Sequence, residues 1–324
     1  MASNHSAPRP GRSYADGSDS DDSDGPIELP NGSLICRPHH LKICPYCCVD
    51  FSFMDELLEE EELEEEELEE ELLGEERLER ETNEPQGDIV KGPHLLDLFG
   101  RPIERGTGQV FPTKFALPSA ASTPDELFPV GISHQASPSV VRFIRRDDAK
   151  QILIYADGAC LNNGQANPKA GWAFYFKPGT DKNPGTVSSR LEARGPFDEE
   201  FGQTSNRAEL RAIVGALRFR HWRGEGFTTM VLATDSEYVA EGATAWTRGW
   251  VRKGWKTSMG ANVKNKDLWE ALLGEVERWD SHGLKIQFWR IPRGLNTVAD
   301  RAAKQAAENM GDEHIFNDIS GALV

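Results

Sequence analysis

The chain has 324 residues, with 36 Lys and Arg against 53 Asp and Glu and a formal charge of −17. No apolar run approaches the ~20 residues of a bilayer span, and residues 1–25 lack a signal-peptide core and are too acidic for a transit peptide, which predicts a soluble intracellular protein, in nucleus or cytoplasm, with no membrane partner. The acidity is uneven: residues 1–150 hold 14 basic against 32 acidic side chains and the remainder 22 against 21, so the overall charge does not exclude a nucleic-acid partner for the C-terminal half.

Residues 1–35, rich in Ser, Asp, Gly and Pro, read as a disordered tail. Residues 36–54 gather four of the five cysteines, and Cys36-x2-His39-x4-Cys44-x2-Cys47 has ligand types and spacing suited to a zinc knuckle. His40 and Cys48 are competing ligands, and an unmetallated reduced cluster is an equal alternative. The CPYC at 44–47 has no strand–helix setting for redox chemistry. Residues 55–82 are an acidic run with Leu58, Leu63, Leu68 and Leu72, read as a solvated, partly helical spacer. A helix docked on a protein partner and a mimic of nucleic-acid charge are its rivals. Prolines at 85, 93, 102, 112, 118, 124, 129 and 138 mark 83–149 as an irregular linker, in which VVRFI (140–144) is a piece able to dock on the C-terminal domain.

Regular patterns begin near 150. ILIYADGAC, AGWAFYFK and SSRLEARG read as three strands joined by turn-rich loops, an antiparallel meander. A helix comes next, in which Leu210, Ile213, Val214 and Leu217 recur at helical spacing. Then come TTMVLATD (strand), SEYVAEGATAW (helix), KDLWEALLGEVERWD (helix), LKIQFWRIP (strand) and TVADRAAKQAAE (helix). The order predicts an α/β domain over 150–310, a mixed five-stranded sheet with packed helices, and a C-terminal tail over 311–324.

Four acids recur at comparable places: Asp157 at the end of the first strand, Glu209 in the first turn of the long helix, Asp235 after the fourth strand and Asp300 early in the last helix. Each has a local alternative. Glu209 with Asn206 fits a capping box, Asp235 fits an N-cap, and Asp300 fits an i,i+4 pair with Lys304. Together, carboxylates converging at one sheet end repel one another unless hard divalent cations lie between them.

YADGAC, SNRAEL, ATDSEYV and NTVAD, in that order, resemble the four acidic motifs of the type 1 ribonuclease H family, cellular enzymes that cut the RNA strand of RNA–DNA hybrids. The resemblance covers about residues 151–310 and implies a ribonuclease H-like fold. It makes Asp157, Glu209, Asp235 and Asp300 ligands of two Mg²⁺ ions, with Mn²⁺ able to substitute, and implies 5′-phosphate and 3′-hydroxyl products and a role such as removing replication primers. It also places Cys160, Asn162, Ser205, Asn206 and Glu237 along the hybrid groove, with Ser205 and Glu237 where other residue types are common. TAWTRGWVRKGWKTSMGANVKNKDLW resembles the family's basic protrusion, implying nucleic-acid contacts from Trp250, Arg252, Lys253, Trp255, Lys256, Thr257 and Asn265. The match fails before the last acid. Asn296 keeps its place, but WRIPRGLNTVAD lacks the family's loop histidine and has Pro292 and Arg293 in that region, which predicts slower turnover rather than none. A weakly active or inactive hybrid-binding protein and a retroelement-derived domain are the competing readings.

Overall fold

The computed structural model describes residues 102–180, 184–257, 260–309, 311, 313–319 and 321, with short pieces at 27–28, 34–36, 39–41, 43–44 and 49–50. The early pieces are two-residue strands: β1 (Ile27–Glu28) pairs with β2 (Leu34–Ile35), and β3 (Ile43–Cys44) with β4 (Val49–Asp50). The acidic run at 55–82 lies outside the described residues.

The scaffold is one mixed sheet. Strands β8 (Gln151–Leu161), β9 (Lys169–Tyr175) and β10 (Thr186–Arg190) form the antiparallel meander. Strand β11 (Thr229–Thr234) joins β8 in parallel, and β12 (Lys285–Arg290) joins β11 in parallel. The five expected strands are present in the order β10-β9-β8-β11-β12.

Three more strands complete an eight-stranded sheet, and all come from the proline-rich stretch read as linker. Strand β5 (Thr113–Lys114) extends the β12 edge in parallel, and the hairpin of β6 (Val130–Ser133) and β7 (Val140–Ile144) pairs through β7 with the start of β8. Between them lies a single helical turn, α1 (Pro124–Leu127). Proline density concealed this because the prolines fall outside the strands, while Phe115, Phe128 and Phe143 pack into a core layer with Trp289 and Tyr155.

Helix α2 (Ser205–Arg218) lies on one face of β8 and β9, and α6 (Thr297–Asn309) crosses the other. Alternation along β8 sends Ile152, Ile154 and Ala156 into the larger core cluster and Leu153 and Tyr155 into the cluster that includes Ala299 of α6. The glycine after Asp157 has a packing reason: a Cβ on Gly158 would stand 2.2 Å from the Glu209 backbone nitrogen, so only glycine lets α2 settle on the strand.

Two boundaries differ from the sequence reading. The third strand ends at Arg190, because Leu191 and Glu192 turn inward and the buried Glu192 carboxylate receives Arg211 of α2. The helix expected at 236–246 is α3 (Glu237–Glu241), continued by a π-turn (Gly242–Trp246) into α4 (Thr247–Arg252). Gly242 lies where Trp269 of α5 (Lys266–Ser281) presses in, 2.4 Å from where a Cβ would be. The C-terminal stretch is anchored at Phe316, fully buried, and at Asp318, which pairs with Arg218.

Candidate active site

The register of the parallel strands sets the site. Ala233 of β11 is level with Tyr155 of β8, so Asp235 and Asp157 both lie two residues beyond that pairing. Asp235 follows the carboxyl end of β11, whereas Asp157, expected at a strand end, lies inside β8 opposite Ala173 of β9, because β8 runs on past the end of β11 to Leu161. Glu209 arrives from the first turns of α2 and Asp300 from the first turn of α6. All three act electrostatically on Asp157, so the four predicted acids are gathered in one centre.

The local alternatives divide. The N-cap of α2 is Thr204, which accepts from Arg207 N, so Glu209 is not part of a capping box. The N-cap of α3 is Ser236 rather than Asp235; its hydroxyl accepts from Val239 N and donates to Glu209. The third alternative holds: Lys304 Nζ lies 2.8 Å from Asp300 Oδ1.

Asp157 is the most constrained of the four. It is 4 % exposed; its Oδ1 accepts from Gly158 N at 2.8 Å, and its buried Oδ2 has no hydrogen-bond partner. Burial first, and then the charges of Asp235, Glu209 and Asp300, push its carboxyl well above the ordinary carboxylate range, with Arg293 opposing them. An orphaned, desolvated carboxylate oxygen aimed among three more carboxylates is a poor structural element and a good hard-cation ligand.

The remaining acids are braced by neighbours. Asn296 donates from Nδ2 to Asp235 Oδ1 at 2.7 Å and to the Ala156 carbonyl at 3.0 Å. Arg293 reaches over the centre, 3.7 Å from Asp235 and 3.6 Å from Asp300, both longer than hydrogen bonds. Burial opposes its charge, but the surrounding carboxylates outweigh this and raise its pKa. With its side chain 43 % exposed, Arg293 is a partly covered counter-charge beside Asp235 and Asp300. As they stand, no three acids among the described residues are close enough to share an ion. Asp235, Glu209 and Asp300 each engage a protein partner, while Asp157 Oδ2 has none. The donor set, all oxygen with one orphan, fits Mg²⁺ or Mn²⁺.

The predicted substrate residues fall into two groups. Asn162, Arg252, Lys253 and Lys256 are exposed, and Asn206, Glu237 and Asn265 are partly so. Cys160, Ser205, Trp250, Trp255, Thr257 and Asn296 are buried. Trp250 packs on Trp246 and Trp269. Trp255 takes a left-handed backbone (φ 63°) with its ring buried, pinning the basic loop so that Lys253 and Lys256 face outward. Asn296 braces Asp235, and Ser205 accepts from Asn163, a buried residue the sequence reading passed over. Ser236 was also missed, although its place directly after a strand-ending acid marks an N-cap. Glu237 is engaged by Arg290 at 2.8 Å.

The zinc reading gains no support. Cys36 is buried and His39 exposed, Cys47 lies outside the described residues, and among the described residues no group of metal-ligating side chains is assembled.

The family model for RNase H matches residues 149–308. The chain is 35 % identical over 172 residues to a ribonuclease H of Treponema pallidum, covering 50 % of this chain and 95 % of that one. It is 36 % identical over 165 residues to human ribonuclease H1, covering 50 % of this chain but only 51 % of the human protein, so it spans about half the length of that relative. A solved type 1 RNase H with the type 2 active-site motif is 26 % identical, with a TM-score of 0.35, over 50 % of this chain and 74 % of that one.

Proposed function

The chain belongs to the ribonuclease H family, and on that premise we propose that it is a hybrid endoribonuclease, hydrolysing the RNA strand of RNA–DNA hybrids to 5′-phosphate and 3′-hydroxyl ends with two Mg²⁺ ions held by Asp157, Glu209, Asp235 and Asp300. The observation that carries this reading is the orphaned, buried Asp157 carboxylate at the focus of three other acids. When bound, the ions supply an ionised attacking water and neutralise charge on the leaving oxygen.

The protein's own part is placement. The parallel pairing of β8 with β11 fixes Asp157 and Asp235 relative to each other, and Asn296 holds Asp235 at the angle set by its second bond, to the β8 backbone. Ser236 couples the Glu209 carboxylate to the start of α3. The exposed Arg252, Lys253 and Lys256 offer a backbone-binding surface whose grip falls with salt. Arg293 stands where a departing or incoming phosphate would pass, and its guanidinium stays protonated near neutral pH, so it binds charge without shuttling protons.

The loop histidine's absence favours one rival, a protein that holds hybrids without cutting them. A labelled hybrid incubated with the protein in Mg²⁺ and in Mn²⁺, beside Asp235→Asn, separates the two. Cleavage confined to the wild type supports the nuclease; tight binding without cleavage in either metal supports the rival. Among the described residues no helix is long and apolar enough to cross a membrane.

A further inference from the structure

The outer end of the sheet carries two ion pairs of identical design. Helix α3 presents Glu237 and Glu241, spaced i,i+4 and so on one face. Glu237 Oε2 lies 2.8 Å from Arg290 Nη2 at the end of β12, and Glu241 Oε2 lies 2.6 Å from Lys114 Nζ on β5. In both pairs the acid is the more covered partner: the side chains of Glu237 and Glu241 are 22 % and 26 % exposed, those of Arg290 and Lys114 are 44 % and 61 %. Lys114 is registered on Phe288, two residues before Arg290, so strand geometry sets the two cations' backbones about 8 Å apart on neighbouring strands.

The place is informative. Arg290 is level with Thr234, one residue before Asp235, so this row begins at the rim of the acidic centre and runs outward. Exposed pairs of this kind contribute little stability, so a second such pair adds little to the fold. Each carboxylate, however, holds a cation whose side chain stays 44 % (Arg290) or 61 % (Lys114) exposed.

We propose that Arg290 and Lys114 form a phosphate-binding ledge for the nucleic-acid substrate, with Glu237 and Glu241 as positioning residues that hold the cations and do not themselves touch substrate. The assignment rests on the hybrid-nuclease reading above and deepens it. It removes Glu237 from the direct contacts expected from the sequence, and it brings into substrate binding a strand, β5, that lies outside the matched family segment.

The test uses the full chain, a fluorescein-labelled RNA–DNA hybrid, anisotropy with Ca²⁺ in place of Mg²⁺ over a salt series, and steady-state cleavage in Mg²⁺. Arg290→Gln and Lys114→Gln each weaken binding about 3- to 10-fold at low salt and flatten the slope of log affinity against log salt by about 0.7–0.9, one phosphate contact apiece. In cleavage, KM rises by a larger factor than kcat falls. Glu237→Gln supplies the discriminating sign: a repulsive acid, once removed, would tighten hybrid binding, whereas loss of a positioning residue weakens it, with no further loss when combined with Arg290→Gln. Lys285→Gln, at the opposite end of β12 and paired with Asp280, controls for net charge and keeps the wild-type slope. Wild-type affinity and slope in Arg290→Gln and Lys114→Gln, or tighter binding by Glu237→Gln, overturn the ledge. A wild-type protein that cleaves no hybrid overturns the premise instead, and with it the ledge.

Discussion

Helix α2 separates two ways of using charge in one fold. Facing its ends and flank, Arg207 meets Asp267 through two bonds of 2.8 and 2.6 Å, Arg211 meets Glu192, and Arg218 meets Glu275 and Asp318, all with side chains at most 8 % exposed. Every acid there has an arginine, and the geometry is forked, as rigid guanidinium–carboxylate pairs are. From the same helix Glu209 joins a centre of four acids in which Arg293 lies 3.7 Å from Asp235 and 3.6 Å from Asp300, and Lys304 pairs with Asp300. Buried charge that is matched belongs to structure. Buried charge left in surplus of one sign points to a ligand of the other sign.

The largest expected effect breaks the unmatched side. Asp235→Asn removes one oxygen ligand while keeping shape, and hybrid cleavage falls at least about 100-fold, with circular dichroism and melting temperature close to wild type. Retained cleavage would mean that the centre does not do the chemistry.

On the matched side the effect appears in stability and not in chemistry. Arg218→Ala leaves the buried Asp318 carboxylate without its arginine and Glu275 with Arg278 alone, and lowers unfolding free energy by about 3–5 kcal/mol, read by urea denaturation. A loss below about 1 kcal/mol would show that the pairs are tolerated rather than needed.

A pH experiment sharpens the contrast. Asp157 has a folded pKa raised above its unfolded value near 3.8, so its contribution is fully present below that value and is lost as pH rises through the folded pKa. In EDTA, Asp157→Asn is therefore more stable than wild type at neutral pH, and the difference shrinks toward zero in acid. Melting curves from pH 3 to pH 8 test this, and a constant difference would refute it. Mg²⁺ reverses the order at neutral pH by binding the wild type more tightly.

The smallest effect concerns the arginine beside the acids. Arg293→Gln lowers the Mg²⁺ concentration at half-maximal thermal stabilisation about 2- to 5-fold, because a competing cation leaves. An unchanged midpoint would show that Arg293 does not contest the site.

The sequence alone determined the five central strands in order, the helices between them and the four acids, because hydrophobic period and chain order encode which residues face a core. The strand end before Asp235 was legible for the same reason, whereas β8 runs on beyond Asp157 to Leu161. Tertiary structure decided the rest. The strands at 113–144 are too short or too interrupted by proline to show a period, and exist because the β12 edge and the start of β8 offer them partners. That Trp250 and Trp255, read as nucleic-acid contacts, pack into the core was decided by tertiary contacts. The roles of Asn296, Ser236, Arg290 and Lys114 depend on residues 20 or more positions away in sequence, and pairing over such distances leaves no periodic trace. Local pattern specifies elements; which charges meet is settled only when those elements pack.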